Sequence, residues 1–180
     1  RTEFDMLYSR GVMRVVLRSE IPAGVEIGTC TVLLNEKRDE RTKSRCVFNG
    51  KKQKFKVTDM YRSPTLSPGS LAVCLVAATQ NDWDFKLVDI VGAYPYAKYP
   101  KGTVLYSEIP VGHPEYDPKD KSKVLIIERN LYGTREGGFL WWDHFVNVIT
   151  TKTNLKQSKF DPCVFVSDDL ILLAYVDDIL

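Results

Sequence analysis

Two apolar stretches of this chain run into carboxylates. Leu170-Ile171-Leu172-Leu173-Ala174-Tyr175-Val176 leads directly into Asp177-Asp178, and Phe85-Lys86-Leu87-Val88-Asp89-Ile90 carries Asp89. A short run rich in branched residues reads as a strand buried on both faces. Burying two adjacent carboxylates at its end is costly unless something pairs with them. A divalent cation does so, because hard ions such as Mg²⁺ take carboxylate oxygens. Strand parity puts Phe85, Leu87 and Asp89 on one face, so a fold that brings this strand to Asp177-Asp178 would supply ligands from two places in the chain. The competing reading is a solvated hairpin turn, since Asp is a preferred turn residue.

The elements that must position these acids are legible to different degrees. Residues 1–20 contain Leu7, Val12, Val15, Val16 and Leu17, compatible with a short helix or a strand. Ile21-Pro22-Ala23-Gly24 is a turn. Gly28–Leu34 is β-branched and apolar and predicts a strand; Asn35–Lys43 is a charged hairpin loop, and Ser44–Phe48 returns as a second strand. Tyr61–Pro68 is a proline-punctuated loop, with Ser67 placed to cap a helix that has Pro68 at its first position. Leu71, Cys74, Leu75 and Ala78 then recur with helical spacing and predict one buried face. Gln80-Asn81-Asp82 ends this helix, and the Asp89 strand follows. Beyond a loop-rich segment, Val104-Leu105-Tyr106 and Val124–Glu128 predict strands. Gly137–Thr151 is helical, with Trp142, Phe145, Val146 and Ile149 on one face and Trp141 at its margin. Asp161-Pro162 is a turn signal, Val164-Phe165-Val166 is a strand, and Ser167-Asp168-Asp169 is a tight turn with solvated acids.

At 180 residues, 44% hydrophobic and 27% charged, the chain has the composition of a globular protein with one or two cores. A net charge of +2 neither demands nor excludes a nucleic-acid partner. The bases do concentrate around the predicted hairpin: Lys37, Arg38, Arg41, Lys43 and Arg45, then Lys51, Lys52, Lys54 and Lys56. Charge runs are usually solvated surface, and Glu36, Asp39 and Glu40 share the loop. Arg45 lies in the returning strand, where an outward guanidinium could grip a phosphate bidentately. Cys30, Cys46, Cys74 and Cys163 form no Cys-x-x-Cys pair, which argues against zinc and for reduced thiols in an intracellular protein. His113 and His144 have no partner pattern and read as structural. No apolar run approaches the ~20 residues of a membrane span. The start at Arg1 and the stop soon after Asp178 suggest a piece of a longer polypeptide.

Tyr175-Val176-Asp177-Asp178 resembles the Tyr-x-Asp-Asp box of reverse transcriptases, and Leu87–Tyr94 resembles the strand that carries their first catalytic Asp. Leu131-Tyr132-Gly133, Trp141 and Phe160-Asp161-Pro162-Cys163-Val164-Phe165 follow in the order found in the polymerase of copia-type LTR retrotransposons. Ile21–Gly24 and Arg41–Arg45 extend the resemblance upstream, so that it covers about residues 20 to 180. It implies an α+β right-hand polymerase fold of which fingers and palm are present. Residues 1–65 and 98–140 would be fingers; residues 66–97 and 141–180 would be palm, with an antiparallel sheet backed by helices.

The resemblance also implies roles for individual residues. Asp89, Asp177 and Asp178, with the carbonyl of Ile90, would hold two Mg²⁺ ions (Mn²⁺ being the alternative) and direct nucleotidyl transfer from dNTPs to a primer 3′-hydroxyl. Arg45, and more weakly Lys43, would contact the incoming triphosphate. Tyr94 would exclude a ribose 2′-hydroxyl, and Tyr175 and Val176 would touch the nucleic acid. Glu136 stands where the family usually has a nucleotide-contacting Gln, within Arg135-Glu136-Gly137-Gly138 in place of Lys-Gln-Ala-Pro. A carboxylate there repels a triphosphate, and the two glycines are expected to loosen the helix start by about 1 kcal/mol each. The implied partners are an RNA or DNA template–primer and a downstream thumb, connection and ribonuclease H of one polyprotein, with no membrane. The implied setting is a cytoplasmic virus-like particle or the nucleus. A second reading from another class is a polymerase remnant that binds nucleic acid or a protein without catalysis. A metal-dependent nuclease is a third, but it would need more acids or a histidine beside the carboxylates.

Overall fold

The computed structural model describes residues 3–36 and 42–180. Lys37, Arg38 and Arg41 of the expected basic hairpin lie outside the described residues. The chain divides into two units, one made of Arg1–Tyr61 and Tyr94–Leu140, the other of Arg62–Ala93 and Trp141–Leu180.

In the first unit a helix, α1 (Glu3–Ser9), precedes strand β1 (Met13–Leu17), so the ambiguous N-terminal stretch holds one of each. β2 (Ile27–Glu36) and β3 (Thr42–Phe48) form the expected hairpin, and β5 (Leu105–Glu108) and β6 (Lys123–Ile127) complete a sheet in the order β1-β6-β5-β2-β3. Only β2 and β5 run parallel; the other neighbours are antiparallel. The core gathers Phe4 and Leu7 of α1, Val12 and Met13, Cys30, Cys46 and Phe48 of the hairpin, and Leu105, Leu125, Ile127 and Leu131. Alternation along β2 and β3 sends these hairpin residues inward and leaves Lys43 exposed.

The Leu131-Tyr132-Gly133 segment is stitched to the end of β3. The amide of Phe48 donates to the Tyr132 carbonyl at 2.8 Å, and that of Gly50 to the Gly133 carbonyl at 2.9 Å. Gly133 has φ +82°, and a Cβ there would strike the carbonyl of Phe48, so no other residue fits this approach.

In the second unit, α2 (Pro68–Gln80) begins as the sequence predicts. Ser67 is its N-cap, its hydroxyl accepting from the Gly69 amide at 3.2 Å, and Pro68 takes the first position. The predicted buried face is a correction: only Ala78 is buried, Cys74 is half-buried, and Leu75 is exposed. Helical spacing reports a potential face, and burying it requires a second layer over the helix.

The sheet of this unit has the order β4-β10-β9-β8-β7, from β4 (Val88–Asp89), β7 (Lys156–Gln157), β8 (Val164–Val166), β9 (Ile171–Tyr175) and β10 (Asp178–Ile179). Two further corrections appear here. The strand expected over Phe85–Ile90 is reduced to Val88–Asp89, and Phe85 and Leu87 are exposed. The run Leu170–Val176 is not buried on both faces, since within β9 only Leu173 and Ala174 are buried.

Helix α3 (Gly137–Lys152) carries both tryptophans. Trp141, with Phe145, is the buried one and Trp142 is half-buried, the reverse of the expected assignment. Trp141 is fixed inward by its indole N–H, which donates to the Val176 carbonyl at 2.7 Å, and by its ring contact with Phe145, which packs edge-on against Phe165. Gly137 is the first residue of α3, and a Cβ there would press on Thr134 and Asn130.

Candidate functional site

The three carboxylates of the second unit are assembled by a hairpin. Tyr175 pairs with Asp178 across β9 and β10, so Val176 and Asp177 form a two-residue turn. β10 also pairs with β4, and in that register Asp178 stands opposite Asp89 and Ile179 opposite Val88. The Ile90 amide donates to the Asp177 carbonyl at 2.9 Å, tying the turn to the end of β4. Val176 has φ +58°, a left-handed conformation that a β-branched residue rarely adopts. The Trp141 hydrogen bond ends on its carbonyl.

Asp89 and Asp178 are exposed and Asp177 is half-buried, so the acids sit at an open sheet end and not at the end of a buried strand. Among the described residues no hydrogen bond or ion pair engages any of their side chains. Directly opposed like charges on neighbouring antiparallel strands repel. An oxygen-rich, anionic and uncompensated pair is chemistry that suits a hard divalent cation. Among the described residues, no group of three His, Cys, Asp or Glu side chains is gathered closely enough to hold a metal ion. Tyr175, 53% exposed, and Val176, 38% exposed, occupy the same hairpin tip.

A second cluster forms within the first unit. The Arg45 guanidinium lies over the Tyr132 ring, 5.7 Å from its centroid, and the Tyr94 ring stacks on Tyr132 at 4.7 Å with 31° between planes. Two residues singled out by the sequence, Arg45 and Tyr94, thus share one aromatic platform that sequence reasoning missed. Its only signal was the Leu-Tyr-Gly block, noted there as a marker and not as a participant. Gly133 and the Phe48–Tyr132 backbone bond fix this platform beside β3. Lys43 is exposed on the same strand.

Glu136 is 1% exposed. Its Oε2 accepts from the Gln53 side-chain amide at 2.9 Å and its Oε1 from the Val57 amide at 3.3 Å. Gln53 is itself oriented, since its oxygen accepts from the Arg135 amide and its nitrogen also donates to the Phe55 carbonyl. Glu136 therefore binds the 53–57 segment to the 133–137 loop through both of its oxygens.

Asp161, which the sequence places in a turn, is a positioning carboxylate of the second unit. It accepts from the Ser67 amide and from the Cys163 amide, both at 2.9 Å, and so joins the N-cap of α2 to the entry of β8. Burial opposes its ionisation, but hydrogen bonds from the Ser70 hydroxyl and these two amides prevail and hold the carboxyl below its ordinary range. Among the described residues, no helix is long and apolar enough to cross a membrane.

A family model described as "Reverse transcriptase (RNA-dependent DNA polymerase)" matches residues 21–180. The "Retrovirus-related Pol polyprotein from transposon TNT 1-94" of Nicotiana tabacum is 29% identical over 189 residues, covering 99% of this chain. The chain spans 14% of the length of that relative.

Proposed function

Because this chain belongs to the reverse transcriptase (RNA-dependent DNA polymerase) family, we propose that it is the fingers and palm of an RNA-directed DNA polymerase within a longer Pol polyprotein. The first unit is assigned to the fingers and the second to the palm. The observation that carries the reading is the register of β4 and β10, which sets Asp89 against Asp178 with Asp177 in the adjoining turn. Two bound Mg²⁺ ions would supply activation of the primer 3′-hydroxyl and stabilisation of the leaving pyrophosphate in an in-line displacement.

The protein's own part is positioning and charge. Asp89, Asp177 and Asp178, with the Ile90 carbonyl, would hold the ions. Arg45, steadied on Tyr132, would offer its planar donors to the triphosphate, and Lys43 would add a second positive charge. Tyr94, propped from behind by Tyr132, would present a ring edge that a ribose 2′-hydroxyl cannot pass. Tyr175 and Val176 would touch the template–primer, which is held chiefly through its phosphates, so that binding weakens steeply with salt. Glu136, with both oxygens engaged, would act on the nucleotide through the segments it joins.

Equilibrium binding of dTTP with and without Mg²⁺ tests this against a non-catalytic remnant. The polymerase reading predicts Mg²⁺-dependent binding that Arg45→Ala weakens by about tenfold or more, the loss of a charged hydrogen-bonding partner. Binding indifferent to both Mg²⁺ and Arg45 would support the remnant.

A further inference from the structure

Phe160, in the loop between β7 and β8, is 101% exposed, more than any other large apolar side chain among the described residues. The loop that carries it is tied down on both sides. The Ser158 amide donates to the Val164 carbonyl at 2.8 Å and extends the β7–β8 ladder into the loop. The Ser158 hydroxyl accepts from the Phe160 amide at 3.1 Å, and the Gln157 side-chain amide donates to the Pro162 carbonyl at 2.8 Å. Asp161, the next residue, is buried and accepts from the Ser67 and Cys163 amides. A fixed backbone therefore holds the ring out in water.

The strand pairing places this ring at the same end of the sheet as the carboxylates. β9 ends at Tyr175, β10 begins at Asp178 opposite it, and β4 ends at Asp89 opposite Asp178. β8 runs antiparallel to β9 and so begins at that end, where the Ala174 amide donates to the Cys163 carbonyl at 2.8 Å. The β7–β8 loop and the β9–β10 turn are thus neighbouring loops, two strand spacings or roughly 10 Å apart. Lys156 and Lys159 are exposed beside Phe160, and among the described residues no carboxylate pairs with either. With Phe160 they line an open groove of about 510 Å³ whose one acid, Asp168, follows the far end of β8.

We propose that the β7–β8 loop is a single-strand contact site, in which an unpaired base stacks on Phe160 and Lys159 and Lys156 hold the adjoining phosphates. An exposed aromatic flanked by unpaired cations fits nucleic acid, because every base offers a π-face and every linkage a negative charge. The placement lets one strand touch this loop and the Tyr175–Asp178 turn together. The inference rests on the polymerase reading and adds a second contact to it, outside the carboxylates.

The test is fluorescence anisotropy of a labelled oligo(dT) with the 180-residue chain, in a chelator so that no metal joins the carboxylates to the strand. Phe160→Ala should weaken binding about fivefold or more, and Phe160→Trp should keep it. Lys156→Ala and Lys159→Ala should each make the fall of log affinity with log salt shallower by about 0.7. Under ultraviolet light a 5-iodouracil oligonucleotide should crosslink to the peptide that contains Phe160. Circular dichroism verifies that the variants, all at exposed positions, remain folded. Tyr175→Ala, at the neighbouring turn, is the reference. Binding weakened by Tyr175→Ala and unchanged by Phe160→Ala overturns the stacking site, leaves Phe160 to a protein contact, and keeps the polymerase reading. A wild-type chain that binds no oligo(dT) contradicts both.

Discussion

Asp89 and Asp178 stand directly opposite one another across β4 and β10, and no cation or hydrogen-bond donor among the described residues compensates them. Side chains so placed have Cβ atoms roughly 4.5–5.5 Å apart, where like charges oppose the pairing that brings them together. On the polymerase reading proposed above, a divalent cation would offset this repulsion.

The repulsion gives the first prediction. In a chelator, Asp178→Asn should raise stability by about 0.2–1 kcal/mol, because it removes one of two opposed charges. Mg²⁺ should raise the melting temperature of the wild-type chain, since a ligand that binds only the folded state stabilises it. The same addition should do little for the variant. Thermal denaturation with and without Mg²⁺ measures both effects.

Glu136 gives the second. Gln53 points its nitrogen at Glu136 and its oxygen at the Arg135 amide, so it cannot turn over without losing that bond. Glu136→Gln would place an NH₂ group against either the Gln53 nitrogen or the Val57 amide, donor against donor. The expected cost is about 1–3 kcal/mol in urea denaturation, the penalty for leaving a buried polar group unsatisfied. A neutral result would mean that the pair rearranges.

The third concerns the turn that carries Asp177. Two-residue hairpin loops favour glycine where φ is positive, yet Val176 occupies that place at φ +58°. Val176→Gly should stabilise the chain by about 1 kcal/mol by relieving backbone strain. Trp141→Phe should cost about 1 kcal/mol by removing the indole bond to the Val176 carbonyl. Urea midpoints of the two variants are expected to move in opposite directions.

The fourth is a pH dependence. The Nδ1 of His113 accepts from the Glu115 amide at 3.0 Å, so Nε2 carries the proton and meets the Tyr8 hydroxyl at 2.5 Å. Burial, against the opposing charge of Glu115, lowers the His113 value below its ordinary 6.5. The unfolded chain therefore takes up the proton more readily, and stability falls as pH drops below about 6.5. Denaturant midpoints between pH 7.5 and about pH 5 should show this slope, and His113→Asn should flatten it.

Local signals in the sequence located the acids, the β2–β3 hairpin and the capped start of α2. Everything that depended on distant partners escaped it. Apolar runs could not reveal that β4 has only two residues or that Asp89 and Asp178 share a register. Helical spacing put Leu75 on a buried face and Trp142 inward, but burial depends on what lies above a helix, and the Val176 carbonyl selects Trp141. Glu136 read as a misplaced charge beside a nucleotide because its partner Gln53 is 83 residues away. Tyr132 looked like a family marker until Arg45 and Tyr94 were found stacked on it.

The central claim is that Asp89 and Asp177-Asp178 carry nucleotidyl transfer. Primer extension on poly(rA)/oligo(dT) with dTTP and Mg²⁺, comparing the wild-type chain with Asp89→Asn and Asp177→Asn, tests it most directly. The account predicts extension by the wild type that both variants lose while circular dichroism shows them folded. Equal extension by the variants, or none by the wild type, would contradict it.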